Sequence, residues 1–246
     1  VYRFALRPFW IASHVFVVVL VVVMVNLGFW QLHRLDERTA FNDTVRAALA
    51  RTPAPLVPGA NPEPWDRVVV RGTYLRGDDV LVGNKAKDGA PGFWVLTPLD
   101  TPAGTLTVNR GFLARSVLQQ QGLAPASAPE GEVELVVLAQ ASRKGVLATT
   151  SGLAGTPEVS QVDVGVLDAR WDADLLPWWG QAATAQGALL EPVGDPELNN
   201  GPHLGYAVQW FIFSTIAVVG YALILRRNAR TAGHTAGGAD AADLPE

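Results

Sequence analysis

The apolar run that starts at His203 and ends at Leu225, closed at once by Arg226 and Arg227, constrains this chain more than any other feature. A helix rises about 1.5 Å per residue, so about 20 apolar residues cross the roughly 30 Å hydrocarbon core of a bilayer. The run is long enough, and a transmembrane helix is expected over 204–225. Its leading edge, HLGYAVQWF, is its unusual part. Helical spacing puts His203, Tyr206, Ala207 and Trp210 on one face, with Gln209 beside it.

A second apolar run, Trp10 to Trp30, has Ser13, His14 and Asn26 as its only clearly polar members. A signal peptide has a shorter apolar core and a small-residue cleavage site. This core is longer and leads directly into Gly28-Phe29-Trp30-Gln31-Leu32-His33-Arg34-Leu35, so an uncleaved helix is expected over 10–31. The tryptophans at its ends suit interfacial anchors. Charge then sets the orientation. No Lys or Arg follows Trp171 until Arg226, Arg227 and Arg230, and the positive-inside rule puts that end in the cytoplasm. An antiparallel pair places residues 1–9 and 226–246 inside and residues 32–203 outside, as in a multi-pass protein of the cell membrane. His14 then lies near the inner leaflet. His33 and His203 lie near the outer one and could approach if the helices pack. Asn26 and Gln209 read as interhelical hydrogen-bond partners.

Between the spans the texture changes. Thr39 to Ala50 reads as a short helix, with Phe41, Val45 and Leu49 at four-residue spacing, and a Pro-rich stretch ends it. Strand patterns follow at Arg67–Tyr74, Asp79–Val82, Phe93–Leu99, Thr105–Leu113 and Val133–Gln140. Weaker ones lie near Val159–Leu167 and Ala188–Pro192, and Val117–Ala128 is an irregular excursion with room for a turn of helix. Hairpin chemistry marks Gly89-Ala90-Pro91-Gly92 and Ala103-Gly104. Trp178 and Trp179 form an aromatic knot, either a core anchor or a surface that meets lipid or a partner. The Ala-, Gly- and Asp-rich tail after Arg227 is expected to be disordered. The fold class is therefore membrane α plus β: two transmembrane helices flanking a mainly antiparallel, β-rich extracytoplasmic domain.

Composition removes several function classes. The chain has no cysteine, which rules out thiolate nucleophiles, disulfides and Cys-based metal sites. Soft copper(I) finds only Met24, inside an apolar run. A net charge of −4 without a basic block argues against nucleic acid. No histidine occurs between His33 and His203, so a Ser/His/Asp set or a histidine metal cluster cannot form within the outer domain. Thr149-Thr150 and Ser151-Gly152 lack a G-x-S-x-G context, and there is no phosphate-binding glycine loop. A converged pair of carboxylates stays open, but a non-enzymatic role is expected. The edge at His203 keeps two readings. One is an interfacial aromatic belt. The other is an axial ligand and stacking wall for a flat amphiphilic cofactor such as haem.

Three stretches carry a resemblance: GFWQLHRL (Gly28 to Leu35), LTVNRGFL (Leu106 to Leu113) and NNGPHLGYAVQWF (Asn199 to Phe211), with weaker echoes in VVVRGTYL and PGFWVLTPL. In order, spacing and membrane placement the chain resembles the surfeit locus (Surf/Shy) family of cytochrome c oxidase assembly factors. It departs from the family pattern in the Gly201-Pro202 pair between Asn200 and His203. The resemblance implies a membrane assembly factor that assists delivery or insertion of haem a into oxidase subunit I. An accessory subunit of the mature oxidase or respiratory supercomplex is the alternative. It implies His203 as the haem ligand and Tyr206 and Trp210 as its packing neighbours; partner contacts are expected at Trp30, Gln31, Arg34, Asn109, Arg110 and Gln209. A glycine in a strand permits a bulge. Arg110 then either projects its fork toward a carboxylate or propionate, or fixes a turn inside the domain with Asn109.

Overall fold

The structure, a computed structural model, describes residues 3–148 and 155–237. It divides into two compact units, Val1–Asp43 with Leu198–Glu246, and Thr44–Glu197. Thr149, Thr150, Ser151 and Gly152 lie outside the described residues.

Helix α1 runs unbroken from Pro8 to Leu49, 42 residues, where two helices over 10–31 and 39–50 were expected. The chain turns polar at Gln31, but no Gly or Pro occurs between Gln31 and Leu49, so nothing stops the backbone ladder until Pro53. Its start fits as well, since Pro8 occupies the first turn, where its missing N–H costs nothing. Helix α4 (His203–Gly237) opens with the Tyr206 N–H donating to the Pro202 carbonyl at 3.2 Å. It continues past Arg227, which corrects the expected disorder for that part of the tail; residues 238–246 lie outside the described residues. Both helices, over Pro8–Leu49 and His203–Thr231, are long and apolar enough to cross a membrane.

The covered positions of α1 recur in alternating steps of four and three: His14, Val17, Val21, Met24, Gly28, Gln31. On α4 they are His203, Ala207, Trp210, Ser214, Ala217 and Tyr221. This average period of about 3.5 belongs to helices paired at a shallow crossing angle. Small residues sit on both lines, as close packing in lipid requires.

In the second unit the strands among the described residues are β1 (Ala54–Pro55), β2 (Arg67–Tyr74), β3 (Val80–Lys87), β4 (Ala90–Thr101), β5 (Gly104–Ala114), β6 (Glu132–Ala141), β7 (Leu147–Ala148), β8 (Glu158–Val159) and β9 (Leu175–Ala182). Their order is β1-β2-β6-β9-β5-β4-β3-β8-β7. A further pairing of β2 with β4 closes β2, β6, β9, β5 and β4 into a barrel. The pairings are mainly antiparallel, with β5–β9, β1–β2 and β3–β8 parallel. Closure occurs where Thr73 and Tyr74 meet Asp100 and Leu99. Only glycine fits beside it, because a Cβ on Gly72 would fall 2.1 Å from the Asp100 carbonyl oxygen.

Val68, Val70, Leu106, Val108, Val137 and Trp178 fill one core. Trp179 joins a second, with α3 (Val164–Trp171) packed on it, and α2 (Arg115–Gln121) contributes Leu118 to a third. The two tryptophans are thus core anchors on β9, a strand missing from the expected set. The stretch 159–167 is strand only through Val159, and a helix capped by Asp163 replaces the rest. Of the strand expected over 188–192 only a single bridge forms, Glu191 to Phe112.

Candidate functional site

His203 begins α4 on its covered line, and Gln31 occupies the matching line of α1. The His203 Nδ1 lies 2.9 Å from the Gln31 side-chain oxygen. That oxygen accepts, so Nδ1 carries a proton, and in the neutral imidazole Nε2 has the lone pair. A histidine held this way at one nitrogen and presenting the other is the arrangement that metal-ligating imidazoles use.

The loop before His203 is held by α1 as well. Asn42, fully buried, donates through Nδ2 to the Asn199 carbonyl at 3.1 Å and to the Asn200 side-chain oxygen at 2.9 Å. Arg38 Nε donates to the same Asn199 carbonyl at 3.1 Å. The Gly201 N–H donates to the Asn199 side-chain oxygen at 3.2 Å, and Gly201 has φ +65°, a turn that glycine adopts freely. A Cβ there would sit 3.4 Å from Nε2, so the imidazole lies against this residue. The Gly201-Pro202 pair thus provides the turn and the floor beneath the ring. Neither Asn42 nor Phe211, which packs on Gly28, was singled out from sequence. Both lie at helical steps from residues that were, and that spacing is the signal that could have found them.

The expected face is split. Trp210 stays on the covered line, its ring edge-on to Phe213 with centroids 6.1 Å apart. Tyr206 is half exposed, and among the described residues no bond or ring contact joins it to His203. Trp30 and Gln209 are exposed, and Asn26 donates to the Val22 carbonyl of its own helix at 2.7 Å. Arg34 pairs with Glu37 at 2.6 Å. His33 points off the covered line and meets Glu37 at 3.2 Å, so helix packing delivers Gln31, not a second histidine, to His203. At the far end of the pair the Tyr221 hydroxyl lies 2.6 Å from His14 Nδ1, while His14 Nε2 donates to the Ala5 carbonyl at 3.2 Å. Both nitrogens of His14 are engaged there.

In the barrel unit, Asn109 and Arg110 are fully buried. This corrects the expectation that they meet a partner. Arg110 Nε donates to Thr97 Oγ1 at 2.7 Å, Nη1 to the Ala126 and Gln186 carbonyls at 2.7 Å each, and Nη2 to Asp79 at 3.0 Å. Thr97 donates to the same Asp79 oxygen. The fork is consumed inside the fold, where a buried guanidinium is stable only with its donors matched. Asn109 holds the bulge, its side-chain oxygen accepting the Gly111 N–H at 3.1 Å, and Gly111 takes φ +149°. The Asn-Arg-Gly-Phe stretch is an internal brace.

Comparison with known proteins gives a consistent result. An uncharacterized SURF1-like protein of Mycobacterium tuberculosis is 29% identical over 94% of this chain and 90% of its own length. A SURF1-like protein of Monosiga brevicollis is 26% identical over 86% of this chain and 87% of its own. Cytochrome oxidase assembly protein SHY1 of Saccharomyces cerevisiae is 27% identical over 38% of this chain and 26% of its own. The SURF1 family pattern matches residues 18–215, which take in the Gly28–Leu35 stretch, the barrel and the start of α4 together, and the chain belongs to the SURF1 family.

Proposed function

We propose that this protein assists assembly of cytochrome c oxidase in the cell membrane, holding haem a with His203 as an axial ligand and positioning it for insertion into subunit I. The observation that carries the reading is the hydrogen bond from His203 to Gln31, which holds the ring by Nδ1 so that Nε2, in the neutral imidazole, is the lone-pair donor at the end of an apolar helix. The donor set fits haem as cargo. One neutral imidazole is enough for a single axial bond, and a lone ligand permits release more readily than a pair. The yeast relative named as an oxidase assembly protein supports the same process. In this reading both termini face the cytoplasm and His203 lies at the outer leaflet, since Arg226, Arg227 and Arg230 close the second span.

The test is affinity isolation of the tagged chain from its own membranes, read by partner identity and pyridine haemochrome together. Subunit I of haem-poor oxidase intermediates, with haem a on the chain, is the expected result. Recovery only in fixed ratio with spectroscopically complete oxidase contradicts it and makes the chain an accessory subunit.

A further inference from the structure

Five cations of the barrel unit face a carboxylate: Arg51 with Asp66, Arg71 with Glu134, Arg76 with Glu130, Lys87 with Glu191 and Arg110 with Asp79. Among the described residues Arg67, Lys85, Arg115, Arg143, Lys144 and Arg170 have none within ion-pairing distance, and of these Lys85 and Arg143 act on one another. Lys85 Nζ lies 4.0 Å from the centre of the Trp94 ring, and Trp94 packs at 6.1 Å against Trp179. Trp179 Nε1 in turn donates to the Ala141 carbonyl at 3.1 Å, and the Arg143 N–H donates to the Val162 carbonyl at 2.9 Å, which anchors the backbone that carries the second cation. Burial, and then the Arg143 charge, hold the Lys85 ammonium below the usual lysine range. Neither cation has a carboxylate partner of its own, which suits both to an external anion.

A backbone feature lies beside them. Strand β8 covers β3 only at Leu81 and Val82. From Lys85 to Lys87, β3 pairs with β4 alone among the described residues, Ala86 standing opposite Pro91. Proline has no N–H, so this must be a non-hydrogen-bonded pair, and the Ala86 N–H and C=O point to the open edge. A lysine on an edge ordinarily blunts it by reaching into solvent. Lys85 is folded onto Trp94 instead, and Ala86 is exposed.

We propose that the β3 edge at Ala86 accepts an extended acidic segment of a partner protein, which adds one strand and sets its carboxylates against Lys85 and Arg143. The outward backbone groups favour a peptide over a lipid phosphate, which would engage the cations alone. This inference is independent of the role of His203.

The test uses the full chain in phosphatidylcholine nanodiscs and a fluorescein-labelled peptide of alternating Glu and Val, with the matching Gln/Val peptide as control, read by anisotropy. Saturable binding of the Glu peptide alone is expected. Lys85→Gln and Arg143→Gln each weaken it about fivefold or more, Ala86→Pro does so with both cations in place, and Arg71→Gln does not. Near-UV dichroism selects variants that remain folded. Absent or equal binding of the two peptides, or unchanged affinity in any of the three β3-site variants, overturns the proposal. So does Lys85- and Arg143-dependent binding of phosphatidylglycerol vesicles when the Glu peptide does not bind.

Discussion

The ring of Phe211 fills the space that a side chain on Gly28 would need: a Cβ at Gly28 would fall 2.7 Å from two of its carbons. The same ring stands edge-on to Phe29, with centroids 5.5 Å apart. Helices in lipid associate through close packing, since hydrocarbon gives apolar side chains no reason to leave it. Gly28→Val should therefore destabilise the helix pair by about 1–3 kcal/mol. Thermal unfolding in detergent reads the effect, and adding Phe211→Ala should recover part of it, because the two substitutions act on one contact.

Arg110 makes a second prediction because its whole fork is used inside the barrel unit. Arg110→Lys keeps the charge but cannot reach Thr97, Asp79 and two carbonyls at once. Removing one partner of a buried charge pair costs about 3–5 kcal/mol, so Arg110→Leu should lower the urea midpoint sharply, with Arg110→Lys between it and the parent. Equal midpoints for Lys and Arg would show that the fork geometry contributes nothing.

The Asp163 carboxylate is held below its ordinary range, first by the Gly145 N–H, then by the Val166 and Gly165 N–H groups and the Lys144 charge. A folded-state value below the unfolded one means that the carboxylate stabilises the fold above about pH 4 and loses that effect as pH falls through the folded value. Asp163→Ala should cost about 1 kcal/mol at pH 7 through loss of the α3 cap. Asp163→Asn keeps an acceptor and loses the charge. Its urea midpoint should lie below the parent's at pH 7 and approach it below about pH 4. A gap that widens on acidification would contradict the sign.

Topology can be read without background, because the chain has no cysteine. A single cysteine placed at Asn61, in the barrel unit, should react with a membrane-impermeant maleimide in intact cells. One placed at Asn228, beyond the second span, should react only after lysis. The reverse pattern would put the barrel in the cytoplasm.

Much of this architecture was legible because the signals were local. Two long apolar runs, and alternation such as Val68, Val70 and Tyr74 on β2, announce spans and strands directly. Strand β9 was hidden because it is buried on both faces: Trp178 enters one core and Trp179 another, so no alternation shows. Pro177 sits where the register of β5 against β9 shifts between Thr105 and Thr107, and no regular ladder bond is asked of it. At Val164–Leu167 the valines alternate like a strand, whereas Asp163, accepting from the Gly165 and Val166 N–H groups, begins a helix. The site at His203 was visible as one histidine. Its partner Gln31 lies 172 residues away in sequence, and only helix register brings them together.

The account rests on His203 offering Nε2 to haem a while Gln31 holds the other nitrogen. The most direct measurement is the pyridine haemochrome and visible spectrum of the purified full chain loaded with haem a, compared with His203→Ala and Gln31→Leu. The account predicts that His203→Ala loses the bound haem and that Gln31→Leu binds it about tenfold more weakly. A His203→Ala protein with the parent's stoichiometry and spectrum would contradict it.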